Sequence, residues 1–176
     1  MNKQHAVLSL SGGLDSTTLL LNLLSSNHEV ICLSYSYGQK HSVELEKATE
    51  LVRYLNNKGF NIKHQIITLD GLSNLLVSGL VDNDSMEMKK GHYAHENALT
   101  TVVPNRNAIF AAITYAVALS QVKKTNEPCK IALGTHMGDF NNTTNTGIYP
   151  DCSEEFKIAL EYAFKIGNWD SEKVDY

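Results

Sequence analysis

Cysteine is scarce in this chain of 176 residues, and its three cysteines form no pattern that binds metal or cross-links a fold. Cys32, Cys129 and Cys152 are far apart and odd in number, which excludes a disulfide framework and any C-x-x-C motif. We therefore expect no metal site built on cysteine. Cys32 is expected in the core of a strand, and Cys152 is expected to be a buried, unreactive thiol.

Long apolar runs are missing too. The longest uncharged apolar stretches are far shorter than the roughly 20 residues that a membrane-spanning helix needs. The first five residues lead directly into a predicted strand, without the apolar region of a secretory signal. These features predict a cytoplasmic protein that does not associate with a membrane.

An excess of positive charge is the third missing feature. The chain has 15 Lys and Arg against 19 Asp and Glu, a net charge of -4, and its basic residues are dispersed. This balance argues against general nucleic-acid binding and is compatible with a small anionic ligand at a local site. With 43% hydrophobic and 19% charged residues, the length predicts a single domain over residues 1–176.

The pattern that is present is an alternation of apolar strands and amphipathic helices. It predicts strands over residues 6–10, 30–35, 62–69 and 130–133, and helices over residues 15–26, 43–55, 107–122 and 156–164. Gly59 is expected to end the second helix in a left-handed conformation. Such alternation predicts an α/β fold, a parallel sheet with helices on both faces, whose ligands bind at the carboxyl ends of the strands.

The turn between the first strand and the first helix reads Ser11-Gly12-Gly13-Leu14-Asp15-Ser16. A glycine-bearing turn here directs several backbone N–H groups and the positive end of a helix toward one point, which suits a phosphate group. The turn lacks the lysine and the spacing of G-x-x-x-x-G-K-[ST], and it is not G-x-G-x-x-G. The alternative is an ordinary turn in which Asp15 or Ser16 caps the helix.

In this context S-G-G-L-D-S resembles the signature of the ATP pyrophosphatases, also called PP-loop or N-type enzymes. In that family the turn grips the pyrophosphate of ATP while a substrate oxygen attacks the α-phosphate. Three further blocks follow in order: Y-S-Y-G-Q-K-H at residues 35–41, V-P-N-R-N at residues 103–107 and Y-P-D-C at residues 149–152. Together the four blocks resemble the 7-cyano-7-deazaguanine synthase family. The resemblance implies a Rossmann-like doubly wound parallel sheet of the adenine-nucleotide alpha-hydrolase type.

The resemblance also implies a set of residues that bind ATP. These are Leu10, Ser11, Gly12, Gly13, Leu14, Asp15, Ser16, Thr17, Thr18, Leu19, Leu20, Tyr37, Lys40 and Arg106, of which Asp15, Ser16 and Arg106 are the catalytic candidates. Asp15 is expected to orient the loop or a Mg²⁺ ion carried by the triphosphate. A fixed guanidinium at Arg106 suits contact with departing pyrophosphate, and a structural ion pair is the alternative. Lys40 either meets a phosphate or is a solvated turn residue.

Asn105 stands where the family usually has glycine, and asparagine also tolerates a positive φ.

Substrate recognition is expected at Asp139, Tyr149 and Asp151. A carboxylate at Asp151 can accept two N–H bonds from the guanidine-like face of a deazaguanine, on which Tyr149 can stack. The alternative is that Asp151 or Ser153 caps the helix that follows. Glu96 and His136 are weaker candidates, since a lone histidine beside a strand end is more often a hydrogen-bonded structural residue.

The implied activity is that of an ATP-dependent ligase that converts 7-carboxy-7-deazaguanine and ammonia to the nitrile through an adenylated carboxylate. ATP and Mg²⁺ are the implied cofactors, and a homodimer is a family-level expectation. Two alternatives stay open. One is an adenylating relative that transfers a deazapurine to a protein or nucleic acid, and the other is a module that binds adenine nucleotide without turnover.

Members of the family end in a cysteine cluster that binds zinc, and this chain holds no such cluster. Two interpretations stay open: the sequence is part of a longer protein, or it is a shortened relative that depends on a partner.

Overall fold

Five parallel strands form the central sheet of the computed structural model, which describes residues 4–39, 43–72, 75, 102–135, 140–141, 146–147 and 149–176. In chain order the strands are β1 (Gln4–Ser9), β2 (His28–Ser36), β3 (Lys63–Thr68), β4 (Cys129–Leu133), β5 (Phe140–Asn141), β6 (Thr146–Gly147) and β7 (Val174–Asp175). The sheet runs in the order β3-β2-β1-β4-β7, and β5 and β6 form a separate antiparallel pair. The chain therefore builds outward from β1 first to one side and then to the other.

The helices are α1 (Leu14–Ser25), α2 (Val43–Asn57), α3 (Arg106–Thr125) and α4 (Glu154–Gly167), with short 3₁₀ turns at Pro150–Cys152 and Ser171–Lys173. One hydrophobic cluster joins the sheet to α1 and α2, and the other joins it to α3 and α4. Successive side chains of β1 show the division, since Val7 enters the α3 cluster and Leu8 enters the α1 and α2 cluster. The predicted α/β fold with helices on both faces is confirmed.

The end of α2 and the start of α4 show the capping residues that the sequence predicts. Gly59 has φ +96°, its N–H donates to Asn56 O at 3.0 Å, and Phe60 N–H donates to Leu55 O at 3.2 Å. These two bonds are a Schellman motif, so the predicted left-handed end of α2 is confirmed. Ser153 caps α4, because its hydroxyl oxygen accepts from Phe156 N–H at 3.1 Å.

The outer face of α4 carries large apolar side chains that the described residues leave in solvent. The exposed fractions are 57% for Ile158, 65% for Tyr162, 69% for Ile166 and 91% for Trp169 just beyond the helix. The spacing of three to four residues places them along one stripe. None of the helices within the described residues is long and apolar enough to cross a membrane.

Candidate active site

A cavity of about 250 Å³ opens at the carboxyl ends of β1, β2 and β4, where the strand order reverses direction. This switch point is where open α/β sheets bind ligands. Its lining includes Ser9, Leu10, Ser11, Ser16, Tyr35, Tyr37, Gln39, Glu44, Leu45, Arg106, Asn107, Phe110, Leu133, Gly134 and Thr135. The cavity thus gathers three of the four sequence blocks: the turn after β1, the end of β2 and the start of α3.

The turn after β1 is held by a ring of hydroxyl hydrogen bonds. Gly13 N–H donates to Ser11 Oγ at 3.2 Å, and Ser11 Oγ lies 3.0 Å from Ser16 Oγ. Ser16 Oγ also accepts from Ser11 N–H at 3.2 Å and donates to Gly13 O at 3.3 Å. Since Ser16 donates to a carbonyl, the proton between the two hydroxyls comes from Ser11. The alternative that Asp15 or Ser16 caps α1 is wrong, because Gly13 is the N-cap residue.

The first intrahelical bond of α1 runs from Thr17 N–H to Gly13 O at 3.1 Å. Helix geometry therefore leaves the N–H groups of Leu14, Asp15 and Ser16 without an intrahelical acceptor. Ser16 lines the cavity, so this helix start presents amide donors and partial positive charge beside it. The arrangement suits an anionic oxygen.

Two close backbone approaches fix this turn against its neighbours. Gly12 has φ +83°, and a Cβ there would lie 2.5 Å from Glu44 O in α2. Gly134 follows β4, and a Cβ there would lie 3.2 Å from Ser16 N. The turn is therefore packed between α2 and the end of β4, with no room for a side chain at Gly12 and little room at Gly134.

Aromatic side chains form one wall of the cavity. The Tyr35 ring stacks on Phe110 with centroids 4.0 Å apart, and Tyr37 packs on Phe110 at 5.6 Å. Burial raises the pKa of Tyr35 to about 12, although its hydrogen bond to Thr114 at 2.8 Å opposes part of that shift. Tyr35 is therefore a neutral, rigid element of the wall at physiological pH.

Gln39 closes the turn after β2 by folding back on it. Its Nε2 donates to Tyr35 O at 2.9 Å, and its Oε1 accepts from Tyr37 N–H at 2.8 Å. Gly38 has φ +80° within this turn. The clamp fixes the backbone that carries Tyr37 into the cavity.

Arg106 lies at the first position of α3, one residue after Asn105, whose φ is +58°. The tolerance of Asn105 for a positive φ is therefore confirmed. Arg106 Nη1 donates to Tyr37 Oη at 3.4 Å, and both side chains line the cavity. The alternative of an ion pair has no counterpart among the ion pairs of the described residues. The Tyr37 hydroxyl therefore holds the guanidinium at the wall of the cavity.

The structure brings five of the predicted ATP-binding residues to the cavity: Leu10, Ser11, Ser16, Tyr37 and Arg106. Gly12, Gly13, Leu14, Asp15 and Thr17 belong to the same turn or the first turn of α1 without lining the cavity. Their contacts stay predictions.

Three further residues predicted to bind ATP lie deeper in α1, where their side chains already have contacts within the protein. Leu20 is 0% exposed inside the α1 and α2 cluster, and Leu19 packs against the same cluster. The Thr18 hydroxyl donates to Leu14 O at 2.9 Å within the helix. The side chain of Leu20 is therefore a core element, and its contact with ATP stays a prediction.

Asp151 lies in the 3₁₀ turn before α4, and Tyr149 directly precedes that turn. Both are half-buried and lie outside the set of residues that line the cavity. Their role in recognising a base stays a prediction. Cys152 is half-buried, so the expectation of a fully buried thiol is wrong, whereas Cys32 is 0% exposed as expected. Lys40, Glu96, His136 and Asp139 lie outside the described residues.

Sequence reasoning missed Phe110 and Gln39. Phe110 lies four residues after Arg106 in one helix, a spacing that places both side chains on the same face. That spacing was a usable signal. The fold-back of Gln39 has no sequence signature, since it depends on the shape of the turn.

The family implies both Mg²⁺ and zinc, and the described residues fit the two metals differently. Mg²⁺ commonly uses one or two carboxylates together with substrate phosphates, and the exposed Asp15 in the turn fits that pattern. Across the part of the chain that the structure describes, no group of three or more His, Cys, Asp and Glu could hold a metal ion. These residues do not fit a zinc site.

Comparison with known proteins adds independent information. The family described as queuosine biosynthesis protein QueC matches residues 5–175. A 7-cyano-7-deazaguanine synthase from Marinomonas sp. is 37% identical over 97% of this chain and 70% of its own length. One from Hahella chejuensis is 39% identical over 97% of this chain and 66% of its own length, so the chain spans about two thirds of these curated relatives.

Among solved structures, an NMN synthetase from Francisella tularensis aligns with a TM-score of 0.43 and 16% identity, covering 73% of this chain and 44% of that one. The sequence relatives are much nearer. Since the family match covers nearly the whole chain, this chain belongs to the QueC family of queuosine biosynthesis proteins.

Proposed function

We propose that this chain carries the ATP-binding and adenylating part of a ligase that converts 7-carboxy-7-deazaguanine and ammonia to 7-cyano-7-deazaguanine. The observation that carries the proposal is the Ser11–Ser16 turn, which faces the same cavity as the Arg106 guanidinium in a member of the QueC family. Backbone amides and a fixed guanidinium are the donors that stabilise charge on a departing pyrophosphate.

The first step activates the carboxylate. A carboxylate oxygen of the substrate attacks the α-phosphorus of ATP, the bond from that phosphorus to the oxygen bridging to the β-phosphate breaks, and pyrophosphate leaves with the electron pair. The N–H groups at the start of α1 and the Arg106 guanidinium stabilise the charge that grows on the leaving group. Asp15 and the phosphates of ATP would hold a Mg²⁺ ion, which would supply further charge neutralisation.

The second step uses the activated carbonyl. Ammonia attacks it, AMP leaves, one proton is lost, and an amide results. The amide oxygen then attacks a second ATP in the same way, and loss of AMP and of both protons from the nitrogen gives the nitrile. Each cycle repeats one chemistry, so one phosphate-gripping turn serves both activations.

The fold of the cavity also suits exclusion of water. Tyr35, Tyr37 and Phe110 line it with aromatic surface, and burial keeps the Tyr35 hydroxyl neutral. An acyl adenylate is hydrolysed readily by water, so an aromatic wall protects the intermediate until ammonia arrives.

The relatives are named for a small-molecule product, which favours this proposal over transfer of a deazapurine to a protein or nucleic acid. A module that stores nucleotide has no need of a guanidinium held for a leaving group, so the Arg106 geometry favours turnover. The homodimer stays a prediction of the resemblance, and the cytoplasmic location stays a prediction of the sequence.

Exchange of labelled pyrophosphate into ATP, with 7-carboxy-7-deazaguanine and Mg²⁺ present, tests the adenylation directly. We expect exchange that depends on the deazapurine, and a drop of about 100-fold in Arg106→Ala because one transition-state donor is lost. Ser120→Ala, an exposed position on the same helix, is the matched control and should exchange as the parent does.

Mass spectrometry of the products separates the remaining alternatives. Free amide and nitrile support the proposal, and a mass increase on a protein or nucleic acid supports transfer to a macromolecule. ATP binding without any exchange would reject adenylation and leave the storage module.

A further inference from the structure

Ser34 is a polar residue at a fully buried position of β2. It is 0% exposed on the face of the strand that also carries Val30 and Cys32 into the α1 and α2 cluster. A hydroxyl in such a place is costly unless it is bonded, and Ser34 has two partners. Its Oγ donates to Leu10 O at 2.6 Å and lies 2.8 Å from His64 Nε2 of β3.

The direction of this chain of hydrogen bonds is fixed by its end. A carbonyl oxygen only accepts, so the Ser34 proton lies on the bond to Leu10 O. The Ser34 oxygen then accepts from His64, which must carry its proton on Nε2. Protonation of the ring at Nδ1 would keep this donor, so the order of the relay does not depend on the charge of His64.

Leu10 is the last residue before the phosphate-gripping turn. Its N–H donates to Leu33 O at 2.8 Å, so both of its backbone groups are bound to β2 or to a side chain of β2. Leu10 is 1% exposed, and Ser11, its neighbour, begins the hydroxyl ring of the turn. The anchor point of the turn is therefore set through Ser34 by a histidine on the outermost strand of the sheet.

We propose that Ser34 and His64 are positioning residues that act through the Leu10 carbonyl to hold the Ser11–Ser16 turn in the geometry that binds ATP. This inference rests on the proposed function for its ligand. Its structural part, the immobilisation of the turn, does not depend on that ligand and can be measured without it.

The experiment compares Ser34→Ala, Ser34→Thr, His64→Leu and His64→Gln in the 176-residue chain. Threonine keeps the hydroxyl, and glutamine keeps an N–H donor at a similar reach, so both should restore what alanine and leucine remove. Ser171→Ala is the matched control, because it deletes another buried hydroxyl that donates to a carbonyl, Lys165 O at 2.8 Å, beside β7.

Two quantities are measured: hydrogen exchange of the peptide over residues 9–19 without nucleotide, and the Kd for α,β-methylene-ATP. For Ser34→Ala and His64→Leu we expect faster exchange in that peptide and a Kd raised about tenfold. We expect Ser171→Ala to lower the melting temperature and leave both quantities unchanged. In steady-state kinetics of Ser34→Ala and His64→Leu, we expect KM for ATP to rise by a larger factor than kcat falls.

Unchanged exchange over residues 9–19 in His64→Leu and Ser34→Ala would overturn the inference. If Ser34→Ala does not fold, His64→Leu decides, because β3 is the outermost strand and His64 is only half-buried. If the parent chain does not bind the ATP analogue, the proposed function fails, and the exchange data still decide whether the relay holds the turn.

Discussion

Gly12 combines a positive φ with a backbone contact that leaves no space for a side chain. Its φ is +83°, and a Cβ would approach Glu44 O of α2 to 2.5 Å. We expect Gly12→Ala to lower the free energy of unfolding by about 2 kcal/mol and to raise the Kd for ATP at least about tenfold, because the turn must shift away from α2. Chemical denaturation and titration with α,β-methylene-ATP measure the two effects.

Gly59 is the matched control for that substitution. Its φ is +96°, but nothing lies within 4 Å of a Cβ built there. Gly59→Ala should therefore cost about 1 kcal/mol from backbone strain alone and leave the Kd unchanged. Equal effects of the two alanines on nucleotide binding would contradict the role given to Gly12.

His64 predicts a pH dependence of stability. Burial lowers its pKa in the folded protein below the value of 6.5 for an unfolded chain. Above pH 6.5 the imidazole is neutral in both states, and as the pH falls through 6.5 the unfolded state binds the proton first. The free energy of unfolding should therefore decrease below pH 6.5 and level off once the pH is below the folded pKa.

Urea unfolding of the parent and of His64→Gln between pH 5 and 8 checks this sign, with the interval chosen to bracket the pKa of about 6.5 of an unperturbed histidine. The parent should lose more stability than the variant on the acid side. A parallel course of the two curves would show that His64 does not contribute.

At the level of single residues, the sequence predicted site residues best where they belong to a motif with a known chemical role. Ser11 and Ser16 were predicted from the turn and do line the cavity. Leu20 was predicted to bind ATP together with its neighbours in the sequence. Its side chain lies in the core, because helical periodicity turns every fourth residue of α1 toward the sheet. Gln39 was missed because its contacts exist only after the β2 turn has closed.

Among the elements, α3 depends most on one backbone conformation. Asn105 adopts φ +58° directly before Arg106, so the orientation of the guanidinium follows from this left-handed residue. Asn105→Val should cost about 1–2 kcal/mol of stability, since a β-branched side chain is strained there, and it should also lower kcat. Asn105→Gly should preserve both, and steady-state kinetics with thermal unfolding distinguish the two variants.

Asn126 offers a control at the other end of the same helix. It has φ +60° but lies far along α3 from Arg106. Asn126→Val should destabilise the fold by a similar amount and leave kcat per folded molecule intact. A loss of kcat in this variant would mean that destabilisation alone explains the result at Asn105.

Long elements were predictable because their apolar periodicity is strong. The predicted helix over residues 107–122 lies inside α3 (Arg106–Thr125), and the strand over residues 62–69 contains β3 (Lys63–Thr68). The two-residue strands β5, β6 and β7 were not predicted, since two residues carry no periodicity. Their pairing is decided by neighbours in space.

At the scale of the whole molecule, the stripe of exposed apolar side chains on α4 should affect self-association more than it affects stability. Ile158 and Ile166 are more than half exposed, so replacing both with serine should change the free energy of unfolding by no more than about 0.5 kcal/mol each. The same change should reduce self-association, because it replaces exposed apolar surface with polar surface. Light scattering and thermal unfolding of the double variant measure both.

Phe164 on the inner face of α4 is the contrasting position. Its ring packs on Tyr115 with centroids 4.7 Å apart. Phe164→Ala should cost about 2 kcal/mol, since it leaves a gap between α4 and α3. A larger loss of stability from the outer serines than from this alanine would contradict the assignment of the two faces.

The global topology was predictable in class but not in extent. Alternating strands and helices predict a parallel sheet with a site at the carboxyl ends of its strands, but they do not predict the order β3-β2-β1-β4-β7 that the structure shows. The place of β7 beside β4 was not predictable, because it rests on the burial of Val174 against α3.

The unequal burial of the three cysteines has a practical consequence for spectroscopy. Cys32 and Cys129 are 0% and 2% exposed, and burial raises the pKa of each thiol to about 12, whereas Cys152 is half-buried in the Y-P-D-C turn. A maleimide dye at neutral pH should therefore couple at one place, without any cysteine being removed. Fluorescence from that dye would report, in real time, whether the turn before α4 moves when a deazapurine is added.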